Sequence, residues 1–308
     1  MRLFLFLSLG LLFPFQLFSF GTNGGNILTQ SYSAKSQGMG ESYTALSAAQ
    51  GDVTSFQYNP SALAALSNKE GSVTYKLGSF GDSFGVFSYG SPLTLNKGTK
   101  RMGSYAATFL YYTFGDLEYL NAAGTPVTVN AQKDIAFILS YGFNLWPTLS
   151  VGANGKILNS EIAESFKATT FALDLGTQLK IGPGTSLGFS LLNVGTGLKY
   201  DQFNSELPVT FRMGLANEYQ WTKLHNTLVA LDVIKRRDEP IRNNVGVQYT
   251  FDDGSIVMSA RVGYRFNQDT GKLNFGLGIP FKKYKFDYSS QVIGGIGLSH
   301  FFTLGYLF

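Results

Sequence analysis

SQGMGESYTALSAAQGDVTSFQYNPSALAAL, residues 36–66, is the longest stretch beyond the N-terminal leader that does not read as β-strand. Gly38 and Gly40 flank Met39, and a pair of residues without Cβ permits a tight turn and close approach to a neighbouring wall. Tyr58-Asn59-Pro60 reads as a helix start: Asn59 is a capping residue and Pro60 is preset for the first helical position. Ala62–Leu66 favour helix, and Ser67-Asn68 end it. From Gly71 onward the chain alternates with period two. The expected organisation is therefore a compact segment, residues 22–68, ahead of one long run of strands, 69–308.

Fourteen candidate strands fall between residue 70 and the end of the chain, separated by Gly, Pro, Asn and Asp. Phe171, Leu173, Leu175, Leu179 and Ile181 share one face of their strand, opposite Asp174, Gly176, Gln178 and Lys180. Val262, Tyr264 and Phe266 oppose Arg261, Gly263 and Arg265 in the same way. A soluble sandwich has the same period. Aromatics toward strand ends and a second face mixing charge with glycine favour a transmembrane barrel instead, and an even strand number suits one. The fold class expected is an all-β, 14-stranded antiparallel transmembrane barrel with a short N-terminal luminal hatch. Both chain ends are expected on the periplasmic side. Short turns at 145–147, 182–184, 222–224 and 252–254 then lie there, and longer connections near 115–132, 159–166, 195–207 and 235–240 lie opposite. The long connection expected at 91–102 does not fit this alternation.

Charges facing lipid cost roughly 2–4 kcal/mol each near the midplane. Asp174, Lys180, Arg212, Glu218, Asp232, Arg261, Arg265 and Asp287 are therefore placed inward, holding the plug or lining a narrow path. The segment 22–68, with Gly38, Met39, Gly40, Tyr58, Asn59 and Pro60 as its rigid and close-approaching parts, is the expected plug. Fourteen strands enclose more space than side chains alone fill.

Composition agrees. Phe 27, Tyr 17 and Gly 36 stand against only 14% charged residues, a bias away from soluble helical proteins. The net charge of +4 is dispersed, and Lys235-Arg236-Arg237 is followed at once by Asp238-Glu239, so no nucleic-acid partner is expected. With no cysteine, disulfides, thiolate metal sites and a lipidated N-terminal cysteine are excluded. Arg2, the apolar run Leu3–Leu17 and Ser19-Phe20-Gly21 form a signal peptide, residues 1–21, with cleavage expected after Gly21. Pro14 argues against an anchoring helix, and no later segment is apolar and long enough to span a bilayer as one.

Catalytic chemistry is not expected. Gly184-Thr185-Ser186-Leu187-Gly188 matches G-x-S-x-G, but as a hairpin turn entering a strand it lacks the strand–turn–helix setting of a nucleophile elbow. His225 and His300, on separate strands, are too few for a zinc site. Neither a metal nor a cofactor is expected.

The order of segments resembles the PorV/PorQ family of outer-membrane proteins, which are FadL-like barrels. The resemblance rests on GMG-x-x-Y-T-A-L followed by Y-N-P-x-x-L, then on ALDLG at 172–176, LGFSLLNVG at 187–195, Glu206-Leu207-Pro208, Ala230-Leu231-Asp232, VGVQY at 245–249, Arg261-Val262-Gly263-Tyr264 and NFGLG at 274–278. The spacing between Leu46 and Asn59 departs from the family pattern, as does Gly51 where an acidic residue is common. The last strand ends on Phe308, with Tyr306, Leu304, Phe302 and Leu298 on one face. It resembles the terminal signal read by the barrel assembly machinery, so Tyr306 and Phe308 are its expected insertion residues. The resemblance implies a bacterial outer-membrane location among lipid and passive transport of small hydrophobic or amphipathic molecules. The alternative it implies is a non-transporting platform in protein secretion or surface attachment, with a secreted protein as partner.

Overall fold

A computed structural model describes residues 24–79, 81–95, 100–120, 124–201, 203–295 and 297–308. The expected signal peptide, residues 1–21, and its expected cleavage point after Gly21 lie outside the described residues. Fourteen strands form one closed antiparallel barrel. The first six are β1 (Glu70–Leu77), β2 (Ser83–Leu95), β3 (Lys100–Thr113), β6 (Gln132–Asn144), β7 (Leu149–Ile162) and β8 (Phe166–Gly182). The circuit continues through β9 (Thr185–Gly195), β12 (Thr210–Gln220), β13 (His225–Arg236) and β14 (Arg242–Asp252). It finishes with β15 (Val257–Phe266), β16 (Leu273–Phe281), β17 (Tyr284–Ile293) and β18 (Gly297–Leu307). Two short hairpins, β4–β5 (Asp116–Leu120, Pro126–Asn130) and β10–β11 (Leu198–Tyr200, Phe203–Ser205), stand outside the ladder. They occupy two of the connections expected to be long.

The alternation sets the wall. Phe171, Leu173 and Leu175 are exposed on the outer face while Ala172, Asp174 and Gln178 are buried on the inner one. Val262, Tyr264 and Phe266 likewise face outward, with Arg261 and Arg265 inward. No described helix is long and apolar enough to cross a membrane; the strands do so. The ring pairs Tyr141–Phe143, Tyr219–Trp221 and Tyr306–Phe308, with centroids 5.7, 4.9 and 4.9 Å apart, cluster at the end carrying the short turns. That is where an interfacial girdle sits. Closure is made by β1 against β18, with Glu70 opposite Leu307 and Leu77 opposite His300.

Residues 24–66 pack against the inner faces of the strands. The segment contains the helix α1 (Ala34–Gly38) and 3-10 turns at Asn26–Thr29, Val53–Gln57 and Pro60–Ala65. The helix expected after Asn59-Pro60 is thus a 3-10 turn; Asn59 still caps it, its side chain accepting from Ser61 N at 3.2 Å. Two further expectations are corrected. Gly24 N donates to Glu206 O at 2.9 Å, in the connection at the end of the barrel away from Phe308. The described chain therefore enters at that far end and descends through the lumen before β1 begins beside the C-terminus. Also, β2 and β3 reach Leu95 and Lys100, so the long connection expected at 91–102 is mostly strand.

Candidate functional site

The ladder shifts register between β2 and β3, at Leu93–Thr94, and between β8 and β9, where the shift at Leu173–Leu175 lies in mid-strand. Leu173 pairs with Val194 and Leu175 with Leu191, so Asp174 alone faces two residues, Leu192 and Asn193. Leu192 and Asn193 both turn inward and are buried, and Asn193 takes a left-handed backbone, φ 60°. This is a β-bulge, which bends the strand and interrupts its ladder. On its other side β9 is paired with β12 only up to Leu192–Thr210. Residues 193–195 therefore have one strand neighbour, and the connection from 196 to 209 folds inward there with Leu198, Tyr200 and Leu207 buried.

A buried polar node holds the bulge. Asp174, fully buried, is 2.7 Å from Lys156 Nζ. It accepts from Asn154 Nδ2 and Asn193 N, each at 2.7 Å. Lys156 also donates to Asn193 Oδ1 at 2.7 Å. Asn154 reaches Phe56 O at 3.1 Å, and Asn193 reaches Pro208 O at 3.2 Å. One ion pair thus ties the wall, the luminal segment and the inward connection together. Its charges are satisfied on several sides, as burial requires.

Apolar surface lies on both sides of that node. Outside, an open pocket of about 560 Å³ is lined by Phe137, Leu139, Ile157, Phe171, Leu173 and Val194. Gly155 is its open floor, with nothing within 4 Å of where a Cβ would stand. Inside, Ile27, Leu28, Phe56, Ile138, Leu158 and Leu198 belong to the main buried apolar cluster. Only one strand thickness, made thin by Gly155 and Ala172, separates the two.

The inward charges fall into groups. Asp232 Oδ2 accepts from Tyr43 N at 3.1 Å, Thr44 N at 3.2 Å and Thr44 Oγ1 at 2.6 Å, and sits 2.7 Å from Arg212. Arg212 in turn donates to Glu41 O at 2.6 Å and lies 4.9 Å from the Tyr58 ring centre. Arg265 reaches Glu41 at 3.4 Å and Gln37 Oε1 at 2.9 Å. Glu218 accepts from Gln50 at 2.8 Å. Arg261 and Asp287 instead pair with each other, 2.6 Å apart, across the wall. Lys180 is the correction: it has inward parity but stands exposed at the rim near the Gly182–Thr185 turn, where the lumen opens to water.

Glycine provides the closest fit. Gly40, φ +61°, lies on the wall at Gly263, where an added Cβ would stand 2.0 Å from Gly40 N. Met39 is fully buried beside it. Pro60 lies on Gly152, where a Cβ would be 2.4 Å from Pro60 C. Tyr58 OH bonds Ser31 at 2.8 Å and Ser36 at 3.1 Å, and Asn59 Nδ2 donates to Thr44 O and Thr177 O, each at 2.8 Å. At the C-terminus, Phe308 N donates to Lys69 O at 3.0 Å and its ring meets Tyr89 and Tyr306 at the outer rim.

Sequence reasoning missed the bulge, Lys156, Asn154 and Asn193. The available signal was Leu191-Leu192-Asn193-Val194, where the period of two breaks for one residue. No described group of carboxylates and histidines has the arrangement of a metal site.

Among solved structures, the Pseudomonas putida toluene transporter TodX is similar at TM-score 0.57 and 11% identity, with 90% of this chain and 96% of that one covered. The Ralstonia pickettii toluene transporter TbuX gives 0.56 and 12%, covering 90% and 98%. A Pseudomonas aeruginosa FadL homologue gives 0.55 and 11%, covering 91% and 99%. At these identities the likeness is one of fold: a FadL-like outer-membrane barrel. No curated protein matches the chain in sequence. The family model described as type IX secretion system protein PorV matches residues 21–236, well over half of the 308 residues, and the chain belongs to the PorV family.

Proposed function

We propose that the protein is a non-enzymatic outer-membrane barrel that passes small apolar or amphipathic molecules by way of the wall at β8–β9. The observation that carries this reading is the bulge at Asp174–Asn193, with apolar surface outside it and an apolar cluster directly within. An apolar solute gains on leaving water for either surface, and a bulge interrupts the ladder bonds between its two strands. Residues 22–68 act as the hatch. They close the lumen, so that a solute leaves sideways into lipid rather than through to the periplasm. Two neighbouring folds are toluene transporters by description, which supports this solute class. Export by a signal peptide cleaved after Gly21 belongs to the same reading.

Leu173 and Val194 are exposed cross-strand partners, and the chain has no cysteine. The double variant Leu173→Cys, Val194→Cys therefore staples the bulge specifically. Cells carrying it in the outer membrane are expected to lose toluene uptake on oxidation and regain it on reduction. Equal uptake in both states contradicts a path through this wall.

The family match favours a second reading, in which the barrel is a platform for secreted or surface-attached proteins. On that reading the oxidised staple leaves protein secretion intact, while deleting the whole barrel abolishes it.

A further inference from the structure

Away from the bulge, a second cavity of about 220 Å³ lies between the luminal segment and the ends of β1, β13, β14, β15 and β17 far from the C-terminus. Apart from Phe301 its lining residues are polar or charged, so it offers little to the apolar solutes proposed above. Four cations line it: Lys76, Arg236, Arg242 and Arg265. Among the described residues their carboxylate partners are three. Lys76 pairs with Asp82 at 2.7 Å and Arg265 with Glu41 at 3.4 Å. Arg236 and Arg242 share Glu239 at 3.1 and 2.6 Å. One positive charge is left over inside a cavity whose walls limit screening by water.

The donors are also in surplus. Arg265 has a side chain only 7% exposed, and its Nε has no partner among the described residues. The Nε atoms of Arg236 and Arg242 are likewise unpaired. Buried donors are normally satisfied, and guanidinium groups match the oxygens of carboxylates and phosphates. Gln30, Gln268 and Gln291 add amide groups around the same space, suited to hydroxyls, whereas the Gln37 amide is engaged by Arg265 and Asn274.

We infer that this cavity is a binding site for one hydrophilic anionic group, a phosphate or carboxylate carried on a small polyhydroxylated body such as a sugar. The leftover charge attracts it, the unpaired guanidinium nitrogens take its oxygens, and the glutamine amides take its hydroxyls. The site is separate from the apolar path, and it stands or falls independently of transport.

The test is calorimetric titration of the refolded full chain in detergent at low salt, with folding verified by heat-modifiable migration. Glucose 1-phosphate, galacturonate and glucose are the three probes. One saturable site per barrel is expected for at least one of the two anions and none for glucose; which anion binds tells phosphate from carboxylate. Arg242→Gln and Arg265→Gln are expected to weaken binding at least tenfold and Gln291→Leu several-fold, while Lys180→Gln at the opposite rim leaves it unchanged. Because Gln291→Leu removes no charge, it reports on the site even where an arginine variant fails to fold. Absence of saturable binding for both anions overturns the inference. So does equal binding of glucose, or wild-type affinity in the folded variants.

Discussion

Asp174 is the counter-ion of the buried Lys156. Removing its charge in Asp174→Asn leaves Lys156 buried without a counter-ion, a loss of about 3–5 kcal/mol. A lower urea midpoint for the refolded barrel is expected, with partial recovery in Asp174→Asn, Lys156→Met because the second change removes the orphaned charge. Gly263 is the complementary case on steric grounds. Gly263→Leu overpacks the contact with Gly40 and is expected to cost about 1–3 kcal/mol or more. Gly155→Ala, with open space around it, stays within about 0.5 kcal/mol. Equal effects from the two substitutions contradict the packing described. Lys35 gives a pH test. It donates to Gln50 O at 2.7 Å and Gly51 O at 3.0 Å, and burial, followed by the nearby Arg261 charge, brings its ammonium from 10.5 down to about 8. The fold thus disfavours the charged form. The destabilisation is full below about pH 8 and fades as pH rises from about 8 toward 10.5. A carbon NMR titration of Lys35 Cε is expected to turn near pH 8, and Lys35→Met to remove the gain in stability over that window.

At the scale of elements, the strands were legible because each buries one face and bares the other, which writes period two into residues such as Phe171–Ile181 and Val262–Phe266. The hairpins β4–β5 and β10–β11 were read only as long connections. Pro126-Val127-Thr128-Val129-Asn130 alternates too, yet pairs outside the ladder, and no local pattern separates those cases. The bulge was hidden for a different reason: one extra residue is a small departure in β9, and its partner Lys156 lies on another strand. The inward face was read as glycine mixed with charge, but which glycine meets which part of the luminal segment is a property of three-dimensional fit. For β18, Tyr306→Ala with Phe308→Ala is expected to lower the folded, membrane-inserted fraction several-fold. Leu298→Ala on the same outer face is the fitting control. Thr303 is not, because its Oγ1 accepts from Ala34 N at 2.8 Å and bonds Thr74 at 2.7 Å. Equal yields for the terminal pair and Leu298 contradict a role for the chain end in insertion.

At the scale of the whole molecule, the chain is a FadL-like barrel with residues 24–66 packed inside it; on the proposed function this segment seals the lumen and the β8–β9 wall is the place to pass. Glycine contacts at Gly152 and Gly263 and the polar anchors at Arg212, Asp232 and Arg265 lie around much of the circumference, so the segment is held by many strands. Deleting residues 36–66 while keeping the leader removes α1 and the 3-10 turns at 53–57 and 60–65 but no strand. Single-channel recording in a planar bilayer is the most direct measurement. The intact barrel is expected to pass almost no ionic current, and the folded deletion variant to conduct freely. A deletion variant that migrates as a folded barrel yet conducts no more than the intact protein would contradict the claim that this segment seals the lumen.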